Sequence, residues 1–204
     1  MSLQWLEITP GISWLKATAS PLSADILLIQ GQKNLWLFDV GASPEALTML
    51  QSLPQKPNVI LSHFHPDHIS NLDKLDHHEL FLGGYTFEKI GTGYVIREPF
   101  LIDDGVKLRL FPIPSSHAKG CIGLEVNETY ALLGDAAYCS AKNGSAVYNS
   151  TLLKDEIATL KALSAPYFLL SHGDPLFQQK KDVLDMLESI YAQRDPKCPV
   201  IYLK

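Results

Sequence analysis

Three imidazoles and a carboxylate fall within six residues in the segment Ser62-His63-Phe64-His65-Pro66-Asp67-His68, directly after the apolar run Val59–Leu61. In extended backbone, side chains two apart point to the same face, so His63 and His65 can grip one ion. A helix starting near Pro66 would displace Asp67 and His68 toward a second position. Imidazole and carboxylate suit a borderline ion such as zinc better than calcium or magnesium, and no thiolate cluster competes for it. The plain alternative is a polar surface loop, and the remaining histidines weigh against it.

His117 lies in the turn-rich Pro114-Ser115-Ser116-His117-Ala118-Lys119-Gly120, where a lone histidine is more often structural than a ligand. Asp135 closes the apolar run Leu132-Leu133-Gly134, and an unpaired carboxylate there would be costly to bury. His172 repeats the pattern after Leu169-Leu170-Ser171, and the neighbouring Gly173 would allow close backbone approach to a bound group. Five of the seven histidines thus follow strand ends or turns, and His77 and His78, set among Asp73, Asp76 and Glu79, read as solvated surface.

The elements that would position these groups alternate between strand and helix. Strands are expected at Ile12–Ala17, Asp25–Gln30 and Leu35–Val40 as a meander, then at Val59–Ser62, Val106–Pro112, Ile122–Val126, Tyr130–Leu133 and Tyr167–Leu170. Ser43 as cap and Pro44 in the first turn open a helix that Pro54 stops near Leu53. Amphipathic helices are expected over Thr151–Leu163 and Phe177–Tyr191, with a last strand near the C-terminus. Such alternation calls for helix layers packed on sheets, an α/β (α+β) architecture.

The chain has 204 residues, 46% of them hydrophobic and 19% charged, with a formal net charge of −5. One domain over residues 1–204 is the expectation, since no linker, repeat or low-complexity stretch interrupts it. The acidic balance offers no footprint for a polyanion, so no nucleic-acid partner is expected. No signal peptide and no run long enough to span a bilayer stand out, so a cytoplasmic protein without membrane contact is expected. Cys121, Cys139 and Cys198 are odd in number and widely spaced, and read as reduced structural thiols, with Cys139 nearest a candidate ligand.

The set resembles the metallo-β-lactamase superfamily. Its HxHxDH motif is matched by His63, His65, Asp67 and His68, followed in order by a loop histidine (His117), a Gly-Asp strand end (Asp135) and a late histidine (His172). Leu37-Phe38-Asp39-Val40-Gly41 is similar to the family's strand ending in Asp-x-Gly. The resemblance implies a four-layer αβ/βα sandwich with the site at one sheet edge. It assigns His63, His65 and His117 to a first metal, Asp67, His68 and His172 to a second, and Asp135 to both. Asp39 would orient a ligand histidine by accepting its other N–H. The implied cofactors are two divalent ions, zinc first, with Mn2+ or Fe2+ as alternatives. Ile69-Ser70-Asn71 departs from the glycines many members carry there.

The chemistry so implied is hydrolysis of a small ester, thioester or lactone, with a hydroxide shared between the ions as nucleophile and Asp67 as the catalytic carboxylate that orients it and protonates the leaving group. The partner is then a small-molecule substrate. A glyoxalase II-like thioesterase would carry a helical C-terminal domain for which this chain has no room. An exported β-lactamase would need a leader, and a flavodiiron oxidoreductase would put glutamate where His65 stands. Phosphodiester cleavage on the same site, a mononuclear-iron persulfide dioxygenase and an inactive metal-binding module are the alternatives kept open. Lys119, Tyr138, Lys142 and Tyr148 are the candidate substrate contacts, each weighed against an ordinary surface or packing role.

Overall fold

The structure, a computed structural model, describes residues 3–203. Strands β1 (Leu6–Thr9) and β2 (Ile12–Leu15), a small hairpin of β3 (Thr18–Ala19) and β4 (Leu22–Ser23), then β5 (Ile26–Gln30) and β6 (Leu35–Phe38) open the chain. Helix α1 (Pro44–Gln51) returns it so that β7 (Asn58–Ile60) pairs parallel with β6. After α2 (Pro66–Ile69) comes β8 (Leu80–Leu82), and after α3 (Gly84–Ile90) comes β9 (Tyr94–Val95), each parallel to the strand before it. Together they form a seven-stranded sheet ordered β1-β2-β5-β6-β7-β8-β9.

The second half builds a facing sheet. β10 (Phe100–Asp103), β11 (Lys107–Ile113), β12 (Cys121–Val126) and β13 (Tyr130–Gly134) run as an antiparallel meander. A hairpin of β14 (Ser140–Lys142) and β15 (Ser145–Asn149) leads into α4 (Ser150–Lys161), which brings β16 (Tyr167–Leu170) parallel to β13. β17 (Phe177–Gln179), α5 (Lys180–Ala192) and β18 (Val200–Tyr202) complete it. The sheet order is β10-β11-β12-β13-β16-β17, with β14-β15-β18 as a separate three-stranded sheet.

Three apolar layers account for the stacking. Leu27, Ile29, Phe38 and Ile60 from the first sheet meet Leu108, Leu110, Ile122, Leu124 and Leu132 from the second between the two sheets. Leu37, Val59 and Leu61 face outward onto Ala46 and Leu50 of α1. Phe111, Leu133, Phe168 and Leu170 face the other way onto Leu153, Ile157 and Leu160 of α4 and Val183 and Leu187 of α5. Every residue of β6 and β7 is buried, as strands covered on both faces require. The result is the expected αβ/βα sandwich.

The helix starts agree with their caps: Ser43 Oγ accepts from Ala46 N at 3.1 Å, and Asn149 Oδ1 accepts from Thr151 N and Leu152 N, each at 3.0 Å. The expected helix over Phe177–Tyr191 is corrected at its front. Residues Phe177–Gln179 form β17, antiparallel to β16, and the helix begins only at Lys180. A helix from Phe177 would leave the outer backbone groups of β16 without partners. The strand expected over Val59–Ser62 ends at Ile60, because Leu61 and Ser62 already belong to the turn into the site.

Candidate metal centre

The turn after β7 delivers His63 and His65, and the short helix α2 delivers Asp67 and His68, with His65 at its N-cap position. Pro66 in the first turn sets the entry into α2. The backbone carbonyl of His68 accepts from Val40 N and Gly41 N, each at 3.0 Å, fixing the helix against the end of β6. Asn71 occupies a position where the sequence resemblance leads one to look for glycine, and its Nδ2 donates to Val40 O and Ser43 O, each at 3.1 Å. His117 comes from the loop between β11 and β12, Asp135 from the end of β13 and His172 from the end of β16. All of these elements end at one edge of the sandwich.

Two groups of donors result. One nitrogen each from His63, His65 and His117 lie within 4.8 Å of one another, and so do ligand atoms of Asp67, His68, Asp135 and His172. Asp135 reaches both groups, with Oδ1 3.4 Å from His68 Nε2 and Oδ2 3.4 Å from His117 Nε2. His172 Nε2 stands 3.0 Å from Asp67 Oδ2. His117 Nε2 and His65 Nδ1 are 3.0 Å apart. The structure thus brings all seven sequence-predicted residues together. His63 and His68 form the buried floor, while His117 and His172 keep 17% and 25% of their side chains exposed.

The hydrogen bonds fix the tautomers. Asp39 Oδ1 accepts from Ser62 N at 2.7 Å, and Oδ2 accepts from Ser62 Oγ at 2.7 Å and from His68 Nδ1 at 2.8 Å. Because the Ser62 hydroxyl proton is spent on Asp39, its oxygen accepts from His63 Nδ1 at 3.0 Å. His117 Nδ1 donates to Cys139 O at 3.1 Å. The Nε2 of each ring therefore faces the cluster, and in the neutral form of the ring it carries the lone pair.

Burial, followed by the neighbouring imidazoles of His68, His65 and His117, holds His63 far below the ordinary histidine range, so it stays neutral. Burial and then His117 lower His65 as well. Burial would pull His68 down too, but Asp39 and Asp135 outweigh it and push the imidazolium up to about 10. Burial pushes the Asp67 carboxyl up, and the hydrogen bond from His172 with the charge of His68 reverses that and holds it below the usual carboxylate range. The same hydrogen bond to Asp67 raises His172.

Whether these residues fit metal ions is tested by their unsatisfied atoms. His63 Nε2, His68 Nε2 and Asp135 Oδ1 are buried with no hydrogen-bond partner among the described residues. Leaving such groups unpaired costs about 1–3 kcal/mol each, and buried polar groups are otherwise almost always satisfied. A divalent ion in each group would satisfy all three atoms, so the donor set fits.

Of the candidate substrate contacts, Tyr148 is buried and donates to Ala137 O at 2.9 Å, which makes it a packing residue. Tyr138 stands beside His117, ring centroids 6.5 Å apart, with its hydroxyl on Ser171 O at 2.8 Å. Lys142 is exposed in β14. Lys119 Nζ lies over the Tyr85 ring at 5.6 Å, and Tyr85 in turn meets Phe64 at 5.0 Å. Tyr85 escaped sequence reasoning because α3 carries no periodic signal strong enough to announce it. His172 rather than Gly173 is the left-handed residue of its turn, with φ +60°. A Cβ on Gly173 would meet Leu170 O at 2.9 Å, so that glycine serves the tightness of the loop rather than access for a ligand.

This is the architecture of an αβ/βα sandwich protein with a histidine-carboxylate centre at the sheet edge. A sequence profile described as the Metallo-beta-lactamase superfamily matches residues 19–85, which include Asp39 and the His63–His68 motif. Among solved structures, a B3 metallo-beta-lactamase with an active-site glutamic acid superposes with TM-score 0.70 at 11% identity, covering 94% of this chain and 90% of that one. An archaeal metallo-beta-lactamase superfamily protein from Sulfolobus tokodaii gives 0.62 at 16%, over 90% and 87%. A flavo di-iron protein from Thermotoga maritima gives 0.70 at 13%, over 96% of this chain and 64% of that one. No curated protein matches in sequence. The chain thus has the metallo-beta-lactamase fold, and its residues 19–85 match that superfamily's profile. Among the described residues, no helix is long and apolar enough to cross a membrane.

Proposed function

We propose that this protein is a metal-dependent hydrolase that cleaves a small ester, thioester or lactone. The observation that carries the reading is the convergence of His63 Nε2, His68 Nε2 and Asp135 Oδ1, all buried and all unpaired, in a superfamily made up mostly of hydrolytic metalloenzymes. His63, His65 and His117 would hold one ion, Asp67, His68 and His172 a second, and Asp135 would contact both. Zinc is the ion proposed, from the nitrogen-rich donor set. Two such cations polarise a carbonyl oxygen and lower the pKa of water toward neutrality.

The chain's own residues do the rest. Asp39, Ser62 and the Cys139 carbonyl take the outer N–H groups of His68, His63 and His117, so the rings cannot rotate away from their task. Asp67 is ionised and keeps 15% of its side chain exposed toward the open side of the cluster. It is the group suited to orient an attacking water and to return a proton to the leaving oxygen or sulfur. The Phe64 and Tyr85 rings make an apolar wall beside His65, where a small organic acyl group can lie. With a net charge of −5, the chain suits a small-molecule partner better than a polyanion.

The test is metal analysis of purified protein followed by assay of the loaded protein on esters, thioesters, lactones and phosphodiesters. Two zinc equivalents with acyl turnover are expected. Asp67→Ala and His117→Ala should each lower kcat by roughly a hundredfold or more while the protein stays folded. Inert acyl substrates, or unchanged turnover in either variant, would overturn the assignment.

A further inference from the structure

Asp25 belongs to none of the donor groups, yet it is 98% buried at the edge where they meet, with a relative exposure of 2%. It precedes β5 in the first sheet. Its Oδ1 accepts from Trp14 Nε1 at 2.6 Å and from Ala17 N at 2.7 Å, both from the β2 side of that sheet. Its Oδ2 accepts from the backbone N of His172 at 2.7 Å, across 147 residues and from the opposite sheet. The backbone N of Asp25 donates to Ser171 Oγ at 3.0 Å, so the two segments grip each other reciprocally.

His172 needs such a grip. Its φ of +60° lies in the left-handed region, where a residue with a Cβ is strained against its own carbonyl. Ser171 is held from two further sides, its N donating to Gly134 O at 3.0 Å and its carbonyl accepting from Tyr138 Oη at 2.8 Å. Tyr138 thus holds the carbonyl of the Ser171–His172 peptide, and the Asp25 carboxylate is the group that takes its N–H. A bond from a neutral N–H to a charged acceptor is about twice as strong as a neutral pair, enough to offset the strain. The conformation it holds aims His172 Nε2 at Asp67 Oδ2.

We propose that Asp25 is a positioning residue that locks His172 into its left-handed conformation and thereby builds the second of the two donor groups. The inference rests on the metal reading above only for its consequence, since the hold on the His172 peptide is a property of the metal-free chain. Two measurements on Asp25→Ala and the shape-preserving Asp25→Asn keep these apart. Amide hydrogen exchange at His172 in metal-free protein reads the hold directly, and a zinc titration against a competing chelator reads the consequence for each equivalent separately.

Asp25→Ala is expected to speed His172 exchange at least tenfold and to weaken one zinc equivalent by roughly 10–100-fold, leaving the other unchanged. Asp25→Asn should show a smaller loss of the same selectivity, because its single oxygen cannot serve all three N–H donors. Adding Asp25→Ala to His172→Ala should cost that equivalent nothing more. Unchanged His172 exchange, or equal weakening of both equivalents, would overturn the proposal. A wild-type protein that takes up no zinc would sink the metal reading instead, and the exchange measurement alone would then decide what Asp25 does.

Discussion

Asp39 Oδ2 accepts the Nδ1–H of His68 at 2.8 Å across 29 residues of chain, and both side chains are fully buried. That one bond decides which His68 nitrogen faces the cluster. In Asp39→Asn, an amide N–H facing Nδ1 would favour the opposite tautomer and place a proton on Nε2. Metal affinity at the group containing His68 should fall by roughly 10–100-fold. Isothermal titration with zinc checks it, and an unaltered affinity would remove Asp39 from the positioning machinery.

Gly134 connects β13 to Asp135 at φ +55°, and a Cβ built there would stand 2.6 Å from both Cβ and Oγ of Ser62. Ser62 cannot yield, because its hydroxyl and amide are both committed to Asp39. Gly134→Ala should therefore destabilise the fold by about 2 kcal/mol or more, through backbone strain and overpacking together. A urea melt reads the change, and a loss under about 0.5 kcal/mol, the range of ordinary surface substitutions, would contradict the packing described.

Glu156 sits on the buried face of α4 with both carboxyl oxygens unpaired among the described residues. Burial raises its carboxyl to about 9, so it is neutral in the folded protein at pH 7. The unfolded chain releases that proton above the ordinary carboxylate value, and stability should fall as pH rises from about 4.5 toward 9. The contribution at pH 7 is roughly 3 kcal/mol against the protein. Glu156→Gln should flatten this slope and raise Tm at pH 8 more than at pH 5. Equal shifts at the two pH values would show that burial does not set the protonation state.

Metal removal should destabilise the protein through linkage, since the paired donors form only in the folded state. At a hundredfold excess of zinc over its Kd, one site contributes about 2.7 kcal/mol. For a chain of this length that corresponds to an increase of roughly 5–10 °C in Tm on loading. Thermal scans with and without chelator measure it, and identical Tm values would argue against any tightly held ion.

Much of the centre is legible in the chain because its residues are chemically unusual for where they stand. Apolar strands ending in His63, Asp135 and His172 have no reason to place such groups at a buried edge unless something positive compensates them. The Ser43-Pro44 start and the Thr159-containing amphipathic helix were equally open to reading, since caps and 3.6-residue periodicity are local. The short strands β8, β9 and β10 were not, because at two to four residues each they carry too little alternation to separate from a loop. Nor was β17, whose strand character depends on the neighbouring β16 rather than on its own Phe-Gln-Gln.

The order and kind of the seven donor residues, their spacing around strand ends and the layered class of the fold were set by the sequence alone. Tertiary structure decided which nitrogen of each imidazole faces inward, that Asp135 reaches both groups, and that Asp25 holds a histidine 147 residues away. The physical reason is range. Residue type and periodicity report on a residue's own neighbourhood, whereas tautomers, left-handed turns and the grip between facing sheets arise only where distant backbone segments are packed against one another.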